Sequence, residues 1–221
     1  LLAGAIGAAS NVGFALIAIL GRSVTRESWR WVMLAGALPA LLTFFIQVFV
    51  PESERWKESV KKGGKISVFE IFAPGLARTT LLAIVFASIA LIGTWGSVQW
   101  LPLWADQLTG GKIPTAKSST QIASAFGAII GCFAGSWVGG RAGRRPAYFG
   151  LCLGSLVLCG YLFRRVDAYG PHFLAMVFLV GGFTAAFYGW LPLYLPELFP
   201  TRVRATGQGL SYNFGRILAA I

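Results

Sequence analysis

The chain has 221 residues, of which 56% are apolar and only 12% are charged, about half the charged fraction of an average soluble domain. This composition excludes an intrinsically disordered chain, which is poor in apolar residues, and three cysteines in such a length exclude a disulfide scaffold. The formal net charge is +11, but the basic residues are spread over separate loops, so we expect no nucleic-acid partner. A polytopic membrane protein remains.

Long uncharged stretches predict membrane-spanning helices. A helix needs about 20 apolar residues to cross ~30 Å of hydrocarbon. Six stretches contain no charged residue, and a seventh is interrupted only by Arg216. In chain order they are 1–21, 31–51, 79–105, 118–140, 146–163, 168–196 and 205–221. The sequence therefore predicts an all-α integral membrane protein with about seven transmembrane helices. Because Leu1 is not an initiating methionine and Ile221 falls inside an apolar run, we expect truncation at both ends.

The loops between these helices differ in charge from one side of the bilayer to the other. Loops 52–78, 141–145 and 197–204 carry 11 Lys and Arg residues, and loops 22–30, 106–117 and 164–167 carry seven. Cytoplasmic loops are the more basic ones. We therefore expect the first set in the cytoplasm, in a multi-pass protein of the plasma (inner) membrane.

The beginning and the end of the chain are related by a repeat with an offset of 202 residues. Asn11 and Gly13 fall on Asn213 and Gly215, among seven identities in 19 positions. Shared small-residue composition is the alternative explanation of the match. A true repeat gives a six-helix unit, as in transporters built from two similar halves. We then expect the last two helices of an N-terminal six-helix bundle in 1–50, a cytoplasmic linker in 51–78, and a C-terminal bundle, truncated in its fifth helix, in 79–221.

Three motifs follow predicted helices. They read Val-Pro-Glu-Ser-Glu-Arg-Trp at 50–56, Gly-Gly-Arg-Ala-Gly-Arg-Arg-Pro at 139–146, and Pro-Glu-Leu-Phe-Pro-Thr-Arg-Val-Arg-Ala-Thr-Gly-Gln-Gly at 196–209. Together they resemble signatures of the major facilitator superfamily, in the branch of sugar porters and proton-coupled organic-acid symporters. The resemblance covers essentially the whole chain and implies a helical bundle of that type, running from about helix five to helix eleven. Gly140 departs from the signature, which usually has Asp at that position.

Charged residues in these motifs are the predicted cytoplasmic gate. The resemblance implies ion pairs that hold two bundles together when the cytoplasmic side is shut. The predicted gate residues are Glu52, Arg55, Arg141, Arg144, Arg145, Glu197 and Arg204. Anchoring in lipid headgroups is the alternative for the arginines of 141–145. Between them, Gly143 suits a turn that needs either a positive φ or a close approach of the backbone, and Pro146 fits the first turn of the next helix.

Arg216 is the main candidate for substrate binding. It follows Arg204 by 12 residues, which places it about 18 Å along its helix. Placing a cation that deep in the bilayer costs at least ~2.5–3.5 kcal/mol of insertion free energy, and such a cation usually faces the interior of a helix bundle. Its guanidinium suits a carboxylate, although a structural ion pair with another helix is the alternative. The resemblance favours an organic anion, because sugar porters mostly lack this arginine. The other candidates, for which packing roles are alternatives, are Asn213, Asn11, Gln99 and Trp190.

Several kinds of chemistry are not indicated. The sequence has one histidine, His172, its three cysteines lack metal-ligand spacing, and no phosphate-binding Lys-Ser/Thr loop is present. We expect no catalytic residue, metal or cofactor. The predicted function is proton-coupled uptake of a small organic acid by alternating access, in a monomer embedded in the lipid bilayer. A hexose-type sugar transporter is the alternative, and a non-transporting membrane protein or enzyme is the alternative of another class.

Overall fold

The computed structural model describes residues 1–22, 29–51, 54, 57 and 67–220. Within these ranges the chain is helical and contains no strand. The helices are α1 (Leu2–Gly21), α2 (Trp29–Phe49), α3 (Ala77–Trp95), α4 (Leu101–Thr109), α5 (Ala116–Arg141), α6 (Arg144–Arg165), α7 (Pro171–Leu198) and α8 (Arg204–Ala220). Two short 3-10 helices, Val68–Phe72 and Val98–Trp100, lie before α3 and between α3 and α4. The predicted all-α fold is confirmed.

Six helical segments are long and apolar enough to cross a membrane. They are α1, α2, the combined segment Ala77–Thr109, α5, α6 and α7, with mean hydropathy between 1.6 and 2.1 over their best windows. The seventh predicted helix corresponds to α8, which has 17 residues. Each predicted apolar stretch is helical at the expected place, and all but 79–105 form a single helix.

The α5–α7 pair is the most extensive helix contact of the described bundle. Small residues make it possible: a Cβ atom built on Gly127, Gly131 or Gly135 would lie 1.9 to 2.1 Å from a backbone carbonyl oxygen of α7. Because no side chain fits between the two backbones, glycine is required along this face of α5. This close pair forms the wall to which the other helices are added.

The first two helices are placed very differently. Helix α1 packs against α5 and α7, and a Cβ on Gly7 would lie 2.7 Å from the carbonyl oxygen of Tyr188. Helix α2, in contrast, buries none of its residues against the rest of the described chain. The structure thus attaches the start of the chain to the main bundle through α1.

The predicted single helix 79–105 is interrupted. Helix α3 ends at Trp95, a 3-10 turn follows, and α4 begins at Leu101 with Pro102 in its first turn. A Cβ on Gly96 would lie 2.7 Å from the carbonyl oxygen of Ile92, so this backbone needs glycine, and Pro102 supplies no N–H to continue the α3 ladder. The break matters because Gln99 lies in it.

Candidate functional site

A cavity of about 440 Å³ lies between α1, α3, α5, α7 and α8. Its walls combine aromatic rings with short polar side chains. The aromatic residues are Phe14, Trp95, Tyr188 and Tyr212, and the polar ones are Ser10, Asn11, Thr94, Gln99, Gln121, Ser124 and Thr184. A mixed lining of this kind is typical of a small-molecule site, where apolar surface supplies contact and a few polar groups fix orientation.

Arg216 is the one charged side chain among the residues that line this cavity. It lies on α8 next to Tyr212. Within the described residues, Arg216 makes no ion pair, and the four ion pairs that occur lie elsewhere. The positive charge of the guanidinium is therefore available to a ligand, and an anion complements it best.

Two other predicted substrate-binding residues also line the cavity. The side-chain nitrogen of Asn11 donates to the carbonyl oxygen of Gly7 at 3.1 Å and lies 3.7 Å from the sulfur of Cys132. Gln99 is exposed in the break between α3 and α4. Both amides keep hydrogen-bonding capacity on the cavity side. The structure thus brings Asn11, Gln99 and Arg216 together around one space.

The remaining two predicted substrate-binding residues lie elsewhere. Asn213 is exposed, is not among the lining residues, and donates to the carbonyl oxygen of Gly209 at 2.9 Å. Trp190 is buried in the core, with 1% of its surface exposed, and its indole nitrogen donates to the carbonyl oxygen of Arg144 at 3.2 Å. Trp190 therefore supports the start of α6 and does not line the cavity.

The cavity also contains polar residues that the sequence reasoning missed. Gln121 and Ser124 lie three residues apart on α5 and thus share a face, which is a signal that an otherwise apolar run carries. Thr94 on α3 donates to the carbonyl oxygen of Thr184 at 3.2 Å and joins α3 to α7. The hydroxyl of Tyr188 is buried and has no hydrogen-bond partner among the described residues. Polar groups of α3, α5 and α7 thus line the cavity together with Arg216 of α8.

One predicted gate pair forms at the end of the bundle that we call the arginine-rich end, residues 141–145 and 197–204. The guanidinium of Arg144 binds both carboxylate oxygens of Glu197, with an Nε–O distance of 3.0 Å. A third N–H donates to the carbonyl oxygen of Gly139. Gly143 has a φ of +89°, and this turn brings Arg144 back towards α7. Such a bidentate pair fixes geometry as well as charge.

The other predicted gate residues are not joined to this pair. The guanidinium of Arg141 lies 4.6 Å from the centre of the Trp137 ring, and Arg204 donates to the carbonyl oxygen of Phe199 at 3.4 Å. Arg145 is exposed. Glu52 and Arg55 lie outside the described residues. An ion pair that the sequence did not predict joins Arg202 to Glu70, with an N–O distance of 3.1 Å.

The Arg144–Glu197 pair joins α6 to α7, so both partners belong to the segment 79–221. The gate predicted between two bundles therefore stays a prediction, because Glu52 and Arg55 lie outside the described residues. The pair holds the loop 141–145 in position within one segment, and this position determines where Arg141 and Arg145 stand.

The fold is that of a helical membrane protein whose bundle encloses a cavity. The family model of the Major Facilitator Superfamily matches residues 1–221, and the chain belongs to this family. The resemblance that the three motifs indicated is confirmed. With its membrane-spanning helices, the chain is part of a multi-pass plasma-membrane protein.

Several curated proteins are similar to the chain. The "Probable 4-methylmuconolactone transporter" of Cupriavidus pinatubonensis is 30% identical over 199 residues, which cover 87% of this chain and 45% of that protein. The "Cis,cis-muconate transport protein" of Acinetobacter baylyi is 24% identical over 228 residues, covering 99% and 54%. The "Major myo-inositol transporter IolT" of Bacillus subtilis is 25% identical over 270 residues, covering 95% and 56%. The chain thus spans about half the length of the curated relatives it matches. No solved structure matches it.

Proposed function

We propose that the whole protein is a secondary active transporter that takes up a small organic acid together with a proton by alternating access. This proposal depends mainly on the position of Arg216. This cation lies in a helical membrane bundle, lines the central cavity, and makes no ion pair among the described residues. Arg216 is exposed in the described chain, and placing a guanidinium at the level of the hydrocarbon is unfavourable unless it faces a cavity or has an anionic partner. A substrate carboxylate supplies that partner.

The chemistry of the cavity supports an organic anion over an inorganic one. The rings of Phe14, Trp95, Tyr188 and Tyr212 provide apolar contact surface, and the amides of Asn11 and Gln99 are able to orient a carboxylate or hydroxyl oxygen. Two of the relatives carry names that describe the transport of muconate or of a methylmuconolactone. The lining of the cavity and the names of these relatives both favour a compact, largely carbon-based acid.

The proposed transport cycle uses the division into 1–50, 51–78 and 79–221. In this division α1 belongs to the N-terminal bundle and α5 and α7 to the C-terminal one, so their contact is the seam between the bundles. The cavity lies at this seam, because Ser10, Asn11 and Phe14 of α1 face lining residues of α5 and α7. Rocking of the bundles about the bound substrate then exposes the cavity to either side in turn.

The gate and the coupling site complete the proposal. Arg144 and Glu197 hold the loop 141–145, from which Arg141 and Arg145 approach the carboxylate of Glu52 in the linker when the cytoplasmic side shuts. No carboxylate is among the residues that line the described cavity. We therefore place the proton-binding carboxylate outside residues 1–221, and we propose that the protein acts as a monomer in the inner membrane.

A neutral sugar or polyol is the second candidate substrate. The amides of Asn11 and Gln99 suit hydroxyl groups, and one relative is named as a myo-inositol transporter. Under this alternative Arg216 has a structural partner outside the described residues. The two candidates differ in what they require of Arg216.

Uptake by cells that express the full-length protein tests the proposal. Labelled small mono- and dicarboxylates, a hexose and myo-inositol are compared with and without a proton uncoupler. We expect uncoupler-sensitive uptake of an acid, lost in Arg216→Ala and partly kept in Arg216→Lys. Arg164→Gln is the matched control, because Arg164 is an exposed cation in the last turn of α6. Hexose or inositol uptake that survives Arg216→Ala overturns the preference for an anion.

A further inference from the structure

A second concavity lies on the outside of the bundle, between α5, α6 and α7. Its volume is about 450 Å³ and all of its lining residues are apolar. On α5 it runs from Gly127 to Val138 and continues to Ala142. Fifteen residues of helix correspond to roughly 22 Å, more than the ~15 Å of one leaflet of hydrocarbon. We call this concavity the outer groove.

The outer groove is not filled by the helices that form it. Gly150 on α6 lines it, and a Cβ atom there would meet no other atom within 4 Å. Ala134 on the α5 side is exposed. A glycine in a helix interior lowers the stability of the helix by ~1 kcal/mol relative to alanine. No close helix contact within the described chain requires a glycine at position 150. Small residues on two facing helices therefore keep this space open towards the lipid.

Positive charge lies at one end of the outer groove. Ala142 and Pro146 line that end, and their chain neighbours Arg141 and Arg145 are both exposed. The Arg141 guanidinium lies over the Trp137 ring, 4.6 Å from its centre. The carboxylate of Glu197 is occupied by Arg144, so among the described residues it does not neutralise the other two arginines.

We propose that the outer groove binds an anionic phospholipid, with one acyl chain between α5 and α6 and the phosphate against Arg141 and Arg145. The apolar channel fits the chain, and the arginines fit the headgroup at the level where the chain leaves the hydrocarbon. Basic pockets between transmembrane helices at the cytoplasmic side bind anionic headgroups in this way. The site is separate from the central cavity, so it does not depend on which substrate is transported.

Native mass spectrometry of the purified full-length protein tests the site. The probes are phosphatidylglycerol and phosphatidylcholine of identical acyl composition, titrated separately. We expect one phosphatidylglycerol to bind at least tenfold more tightly than phosphatidylcholine. The double variant Arg141→Gln/Arg145→Gln is expected to lose on the order of 25-fold in affinity, about fivefold for each arginine. Arg164→Gln, at the other end of α6, is the matched control for charge and is expected to bind as wild type.

The acyl-chain part is tested by filling the outer groove. Gly150→Leu is expected to weaken phosphatidylglycerol binding by about tenfold, because the new side chain displaces chain methylenes, and Ala134→Leu fills the same space from α5. Gly160→Leu is the matched control: Gly160 is exposed on α6, a Cβ there also meets nothing within 4 Å, and it does not line the groove.

Three outcomes overturn the proposal. Equal affinity for the two lipids contradicts the proposed headgroup site. Unchanged phosphatidylglycerol binding in both Gly150→Leu and Ala134→Leu contradicts the proposed acyl-chain site. A dimer that Gly150→Leu converts to a monomer shows that a second copy of the chain occupies the outer groove instead. Circular dichroism and melting curves confirm that each variant is folded, which is expected because leucine is a better helix former than glycine.

Discussion

The central cavity and the outer groove have nearly the same volume, about 440 and 450 Å³, and both are built on α5 and α7. They differ in the face that each helix presents. Gln121 and Ser124 of α5 point to the cavity, whereas Ile130 and Ala134 line the groove. One helix therefore provides a polar wall and an apolar wall, and the chemistry of each space follows from the face and not from its size.

The contrast also shows why the glycines of α5 are not interchangeable with the other small residues of the bundle. Gly127, Gly131 and Gly135 line the groove where α5 meets α7, and no Cβ fits there. Gly150 lines the groove with free space beside it. The first group holds the wall together, and the second leaves room for a ligand.

The largest expected effect comes from breaking the wall itself. Gly131→Leu places a side chain where even a Cβ would lie 1.9 Å from the carbonyl oxygen of Gly182. We expect destabilisation by at least ~3 kcal/mol and little folded protein by fluorescence-detected size-exclusion chromatography. Gly150→Leu, the same substitution on the groove side, is expected to fold normally. Equal yields of the two variants contradict the helix contact described here.

The next effect separates the polar face of α5 from its apolar face. Gln121→Leu removes a hydrogen-bonding group from the cavity and is expected to raise the KM for substrate uptake by up to about tenfold, since a hydrogen bond contributes ~0.5–1.5 kcal/mol. Ile130→Leu changes only the groove side and is expected to leave KM unchanged. A larger KM change in Ile130→Leu means that the two faces have been assigned the wrong way round.

A smaller effect is expected from the arginine-rich end, where the groove ends and the predicted gate lies. Glu197→Gln weakens the pair with Arg144. Because the two side chains are 48% and 26% exposed, we expect a contribution of only ~1 kcal/mol. Because both partners lie within one segment, only the part of this energy that is lost on opening shifts the resting population, by at most about fivefold towards the inward-open state. Accessibility of an introduced cavity cysteine from the cytoplasmic side measures the shift, with Glu54→Gln as control, and unchanged labelling counts against a gating role.

The smallest effect concerns the two asparagines of the repeat. Asn11 and Asn213 make the same bond to a glycine carbonyl four residues earlier, but only Asn11 lines the cavity. Asn213→Ala is therefore expected to change the KM for substrate by less than about twofold, because it removes only an exposed hydrogen bond within α8. Asn11→Ala is expected to change it more. The reverse order would place the substrate on the other side of α8.

The sequence predicted the helices well, since each uncharged run is long enough to specify its own hydrogen-bonded segment. It did not predict the break after α3, because one glycine and one proline in an apolar run are compatible with a continuous helix until neighbouring backbones are known. For Gly143 the sequence predicted a turn with either a positive φ or a close approach of the backbone, and the structure has the positive φ.

The site was predicted only in part for a related reason. Arg216 is conspicuous, because a charge in an apolar run needs an explanation by itself. Trp190 has no such signal, and its burial depends on which way α7 is rotated, which follows from the glycine contacts with α5. The groove depends on three helices at once. Its lining residues look like ordinary membrane residues in the sequence, and their common surface exists only in the fold.

The most direct test of the central claim is equilibrium binding of a carboxylic acid and its carboxamide to the purified full-length protein. The acid is one that uptake identifies as a substrate, and the amide differs from it mainly in charge. We predict that wild-type protein prefers the acid at least tenfold and that Arg216→Gln abolishes this preference, while Arg164→Gln retains it. Equal affinity of the wild-type protein for acid and amide, or an unchanged preference in Arg216→Gln, would contradict the assignment of the cavity to an organic anion.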